Sequence, residues 1–100
     1  MGHQLIAFDK LDWQPGNHPL ETKKNVGSVT LLRFEPSFED PSWCPNGHII
    51  HVIAGSLELS IEDHGTITVS AGNACTIDAG TRHQARNVED HTVEMFIVSS

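Results

Sequence analysis

His48-Ile49-Ile50-His51-Val52-Ile53-Ala54-Gly55-Ser56-Leu57-Glu58-Leu59-Ser60-Ile61 reads as two strands joined at a glycine turn. In its second half Leu57, Leu59 and Ile61 alternate with Ser56, Glu58 and Ser60, the period-two pattern of a strand with one buried face. The first half is nearly continuously apolar. Because side chains alternate along a strand, His48, Ile50 and Val52 share one face while Ile49, His51 and Ile53 share the other. His48 and His51 therefore cannot easily serve one site, and His51 is expected on the outer face.

The same short-strand grammar extends in both directions. Downstream, strands are expected at 66–70, 74–77, 83–88 and 92–98, with turns at Glu62-Asp63-His64-Gly65, Ala71-Gly72-Asn73 and Asp78-Ala79-Gly80. Upstream, Val29, Thr30, Leu31 and Leu32 mark a strand over 26–34 that Pro36 ends, and a polar loop, Ser37-Phe38-Glu39-Asp40-Pro41-Ser42, leads into Trp43-Cys44. Nowhere do ten residues keep a 3.6-residue period. Short strands, glycine turns and no helices indicate an all-β sandwich or barrel. Before it, Leu5-Ile6-Ala7-Phe8 is expected as an arm strand and 13–19, rich in Pro and Gly, as a loop that sets Trp13 against the barrel. The division is an arm over 1–25 and a barrel over 26–100.

Composition narrows the function. One hundred residues fit one small domain, and a net charge of −7 with six scattered bases argues against a nucleic-acid partner. No window approaches the length of apolar chain that crosses a bilayer, and the start lacks a basic region followed by an apolar run, so a cytoplasmic protein without a membrane partner is expected. Cys44 and Cys75 are read as separate thiols, with Cys75 in the barrel wall.

Three groups could do chemistry together. Cys44 and His48 are four apart, but Pro45 and Gly47 between them forbid a helix, so they sit where a loop enters a strand. His83 follows the turn Gly80-Thr81-Arg82, and only the fold can bring it to His48. Seven histidines is a high count for this length, and singly each is more often a surface or hydrogen-bonded group than a ligand; His3, His18, His64 and His91 are assigned to the surface. A buried, metal-free Cys44 is the plain alternative.

These residues carry a family resemblance. Gly72, five residues, Asp78-Ala79-Gly80, two residues, His83, three residues and Asn87 is similar to the second motif of the cupins, with Asp78 where a proline normally stands. Val52-Ile53-Ala54-Gly55 resembles the end of the first cupin motif. Counting back from Gly55, His48 falls where many cupins carry a glutamate ligand, Cys44 where the second histidine of a His-x-His pair stands, and Ser42 where the first stands. The run Trp43-Cys44-x-x-Gly47-His48-Ile49 is also similar to a group of short single-domain cupins named for an Asp-His-Cys-Trp motif, with Pro41-Ser42 replacing its acidic and histidine parts.

The resemblance implies a double-stranded β-helix, or jelly-roll barrel, with Cys44, His48 and His83 as metal ligands and a cavity walled by Trp43, Ile50, Val52, Ala85 and Phe96, with Asn87 as a supporting hydrogen-bonding group. One sulfur and two imidazoles suit a divalent transition metal. Zinc is favoured over iron because a thiolate on an open iron site is oxidised in air; nickel, copper and manganese also fit the donors. The expected function is to hold a small molecule at this open metal site, either as a metal-dependent enzyme of dioxygenase, isomerase or hydrolase type, or as a non-catalytic binding or sensing module. A metal-free structural barrel is the third reading. For a general base only Glu94 and Glu58 offer themselves, and only if they turn inward. A domain this small gains by burying a sheet face against a second copy, so a homodimer is expected.

Overall fold

The computed structural model describes residues 2–99, and among them it is built almost wholly of antiparallel strands. Nine follow in order: β1 (Gln14–Pro15), β2 (Glu21–Val26), β3 (Val29–Phe34), β4 (His48–Ala54), β5 (Ser56–Ile61), β6 (Gly65–Ser70), β7 (Ala74–Ile77), β8 (His83–Arg86) and β9 (Val93–Ser99). They form a six-stranded sheet in the order β1-β2-β3-β9-β4-β7 and a three-stranded sheet in the order β6-β5-β8. All of the strand pairs are antiparallel. This is the all-β double-stranded barrel expected.

Alternation decides what lies between the sheets. Ile50 and Val52 of β4, Leu57 and Leu59 of β5, Val93 and Met95 of β9, and Leu32 and Phe34 of β3 form one buried cluster, joined by Phe38, Val69, Ile77 and Ala85. A fully buried side chain of this kind contributes about 1.5–3 kcal/mol relative to its exposed state. Ile49 and Ile53 keep 46% and 37% of their surface exposed and His51 is exposed beside them, as the face assignment requires. β4 ends in a register shift between Val52 and Ala54. There Gly55 turns at φ 78°, a conformation that side-chain-bearing residues rarely adopt, while a Cβ would also press on Glu89 and Val93.

The N-terminal third departs from expectation. Leu5-Ile6-Ala7-Phe8 is no strand: Leu5 is exposed, and Phe8–Lys10 makes one 3-10 turn. Four apolar residues flanked by polar ones carry too little period to fix a strand, and here the run instead sets Phe8 against Phe96 on the outer face of the large sheet, ring centroids 5.5 Å apart. The buried Lys24 ammonium donates to the Phe8 carbonyl at 2.7 Å, and Trp13 lies against both Lys24 and Arg33, so the arm packs on the barrel's outside. β2 spans residue 25 and pairs with β3 over its whole length.

The polar loop before Trp43 is also more ordered than its composition suggests. Asp40 N–H donates to the Ala85 carbonyl at 2.9 Å and Asn87 N–H to the Phe38 carbonyl at 2.9 Å, while Cys44 and His83 exchange backbone bonds of 2.8 and 3.1 Å. Residues 38–44 thus run antiparallel to β8 as an irregular strand. Three residues lie between Asp40 and Cys44 but only one between His83 and Ala85, so the segment bulges around Pro41-Ser42.

Candidate metal centre

The backbone exchange between Cys44 and His83 is what brings the two halves of the site together. Cys44 enters on the irregular strand, His48 opens β4 on its inner face, and His83 opens β8. One candidate donor atom from each lies within 4.8 Å of the others. Cys44 Sγ and His48 Nε2 are 3.6 Å apart, and the two imidazoles stand edge to face with centroids 5.3 Å apart. Zinc bonded tetrahedrally to one sulfur and one imidazole holds those atoms roughly 3.6 Å apart, so this edge of the triad has the right length.

The two histidines are held differently. His83 is 3% exposed, and its Nδ1 donates to the Thr81 carbonyl at 3.0 Å, which leaves Nε2 with a free lone pair in the neutral ring. His48 is half-buried, and its Nδ1 is a buried polar atom with no hydrogen-bond partner among the described residues. Burial first, and His83 beside it second, hold the His48 pKa below the usual imidazole value, which favours the neutral, metal-binding form. The donor set fits a borderline-soft divalent ion with room for a further ligand.

The triad opens on a cavity of about 230 Å³. Ile50 and Ala85 line it, and Leu32, Phe34, Leu57, Leu59, Met95 and Ile97 complete its apolar walls. Phe96 does not line it. Along β9 the inward positions are Val93, Met95 and Ile97, so Phe96 faces out toward Phe8. Trp43 is half-buried but outside the lining, because its neighbour Cys44 takes the inward position on an extended segment. Val52 is fully buried in packed core rather than at the cavity. Asn87 supports from behind: its amide donates to the Phe34 and His91 carbonyls at 3.0 and 2.9 Å and its oxygen accepts from Glu89 N–H at 2.9 Å.

Glu94 and Glu58 do not turn inward. Each pairs on the outside of its sheet, Glu94 with Arg33 at 2.6 Å and Glu58 with Arg86 at 2.6 Å. The carboxylates that do line the cavity are Asp40 and Glu21, which sequence reading missed. Asp40 Oδ2 accepts from Ala85 N–H at 2.7 Å, and burial raises its pKa against the opposing pull of that bond, His83 and His18. Burial likewise raises Glu21, with the Asn17 N–H pulling down, Asp40 pushing up, and Lys23 and His18 pulling down. The polar loop offered Asp40 only as one of two adjacent acids, and Glu21 had no periodic neighbour to mark it. His18 also leaves the surface role expected for it: it is half-buried, its ring edge-on to Phe38 at 4.9 Å and its Nδ1 accepting from Leu20 N–H at 3.0 Å. Both Cys44 and Cys75 are free thiols.

The two antiparallel sheets form a barrel of the cupin type, and the cupin domain model matches residues 30–99. The chain belongs to the cupin family. Its fold is similar to that of the polyketide cyclase RemF from Streptomyces resistomycificus, at 20% identity and a TM-score of 0.82 over 98% of this chain and 79% of that one. A sugar phosphate isomerase of the cupin superfamily from Silicibacter pomeroyi is similar at 18% identity and a TM-score of 0.79, covering 97% and 75%. Drosophila melanogaster CENP-C, in a structure bound to CAL1, is similar at 15% identity and a TM-score of 0.75, covering 96% and 85%. No curated protein matches the sequence. At these identities the likeness is one of fold, which hosts enzymes and interaction domains alike. No helix among the described residues is long and apolar enough to cross a membrane.

Proposed function

We propose that this cupin binds a divalent transition metal through Cys44, His48 and His83 and holds a small molecule against it inside the barrel. The observation that carries the reading is the convergence of these three side chains, from separate elements, on the wall of one cavity. Zinc is the preferred ion on the sulfur-nitrogen donor set, ahead of iron, nickel, copper and manganese. Such an ion supplies Lewis acidity to a bound oxygen. His83, pinned by Thr81, sets the direction of one donor, and the apolar walls exclude water and orient the ligand's body.

Catalysis is the stronger form of this reading, and Asp40 and Glu21 favour it over passive binding. A carboxyl raised by burial holds its proton closer to neutrality and can give or take one at the ligand. Turnover of oxygenase, isomerase and hydrolase substrates by loaded protein separates an enzyme from a binding or sensing module. The two free thiols support a cytoplasmic setting, and the exposed Ile49 and Ile53 on the outer face of β4 support a homodimer, which sedimentation at micromolar concentration tests.

The decisive experiment is metal content per chain by plasma mass spectrometry on tag-free protein, beside Cys44→Ala and His83→Ala. Near-stoichiometric metal in the parent, lost in both variants, supports the site. A parent that stays empty after reconstitution with zinc, iron, nickel and manganese sinks it.

A further inference from the structure

The cavity has a charge pattern that selects among ligands. Among the described residues no Lys or Arg lines it, whereas two carboxylates, Glu21 and Asp40, do. Lys23 stands on the same side of β2, two residues on from Glu21, but outside the lining. A divalent ion with one thiolate carries a single positive charge, which either carboxylate alone cancels. An anionic ligand therefore gains attraction at one end and meets repulsion at the other, and a cationic one brings a charge that must be desolvated between apolar walls.

Both carboxylates are placed to accept rather than to carry structure. Asp40 commits one oxygen to Ala85 N–H. Glu21 takes only the Asn17 N–H, a long bond of 3.3 Å, and its side chain lies so close over Gly16 that a Cβ there would run into the carboxylate. The apolar walls, Leu32, Phe34, Ile50 and Leu57 among them, offer no hydrogen bond; apart from the Cys/His/His cluster, the remaining polar side chain of the lining is the neutral amide of Asn17. In size the chamber exceeds the roughly 150 Å³ apolar cavity that admits one benzene.

We infer that the cavity takes an uncharged, compact molecule of about one ring, whose apolar body lies against the aliphatic walls and whose hydroxyl groups donate to Glu21 and Asp40. This deepens the binding reading above and rests on it. It separates the ligand class from phosphates and carboxylates, for which the chamber holds no cationic side chain.

The test is calorimetric titration of the zinc-loaded protein with three probes of one ring each, resorcinol, benzoate and benzylamine. Resorcinol is expected to bind at least about tenfold more tightly than either charged probe, since each hydroxyl donating to a carboxylate is worth a charged hydrogen bond. In Glu21→Gln/Asp40→Asn that lead over benzoate should shrink about tenfold, and in Gly16→Ala, which displaces the Glu21 carboxylate and leaves Asp40 in place, by a smaller factor. Benzoate or benzylamine equalling resorcinol in the parent, absence of resorcinol binding, or a preference unchanged in both variants overturns the inference. Parallel titrations of metal-free protein keep the two readings apart. Failure to load zinc counts against the metal site; in metal-free protein, where both carboxylates are uncompensated, resorcinol should keep its lead over benzoate, and loss of that lead counts against the carboxylate selection.

Discussion

His83 and His48 face each other across one site, yet the fold treats them in opposite ways. His83 arrives on a wall tied by backbone bonds to Cys44, with its Nδ1 fixed by Thr81, and it is buried before any ligand is present. His48 stands at the first residue of β4 with a buried Nδ1 that no group among the described residues satisfies. One wall is organised by folding. The other leaves a buried ring nitrogen unpaired, while its second nitrogen, Nε2, faces the Cys44 sulfur.

The contrast breaks first where both walls are needed. His83→Ala and His48→Ala should each weaken zinc binding by more than about a hundredfold, beyond the loss usual for removing a mere outer-shell partner, as read by competition with a chelating dye. If either variant keeps parental affinity, that residue is not a ligand. Next in size is the support behind β8. Asn87→Ala removes three side-chain hydrogen bonds, one buried and two part-buried, worth about 1 kcal/mol each, and should lower the urea unfolding free energy by roughly 3 kcal/mol. A loss under 1 kcal/mol would show that Phe34, His91 and Glu89 find other partners.

A smaller effect sharpens the comparison between the imidazoles themselves. In metal-free protein His83→Leu should destabilise by on the order of 1–2 kcal/mol, because the Thr81 carbonyl loses its donor. His48→Leu should be neutral or slightly stabilising, because it replaces an unsatisfied nitrogen with apolar surface. Equal losses in the two variants would contradict the asymmetry. With zinc present both should forfeit the stabilisation that binding gives the parent.

What could be read from sequence divides along the same line as local and non-local information. The alternation in 56–61 and the glycine turns set β4 to β9 within a residue or two, whereas the strand expected over 26–34 proves to be a hairpin, with β2 ending at Val26 and β3 beginning at Val29; the spacing around Cys44, His48 and His83 singled out three residues that the fold brings together. Parity on β9 was harder, since Met95, Phe96, Ile97 and Val98 are apolar on both faces and a one-residue slip exchanges them. Only packing against Phe8 reveals that Phe96 belongs outside. Asp40 was hidden for a related reason. Its side chain turns inward because residues 38–44 pair with β8, some forty-five positions away, and no local pattern announces that pairing.

Glu21 gives the weakest effect and the one most particular to this chain. Burial raises its pKa, so the folded state holds the proton more tightly than the unfolded chain does. The stabilising contribution of that proton is present in full below the ordinary carboxylate pKa and is lost as pH rises through the raised one. Above that window the parent carries a partly desolvated charge near Asp40, and Glu21→Gln carries none. The variant should therefore gain relative to the parent as pH rises from acid to neutral, with the urea midpoints converging again in acid. Lys23 and His18 oppose the effect, which keeps it smaller than any of the preceding ones. A parent and variant whose midpoints run parallel through the acid range would mean that the Glu21 carboxyl is solvated like any surface acid, and the cavity would then lose one of its two carboxylate acceptors for an uncharged ligand.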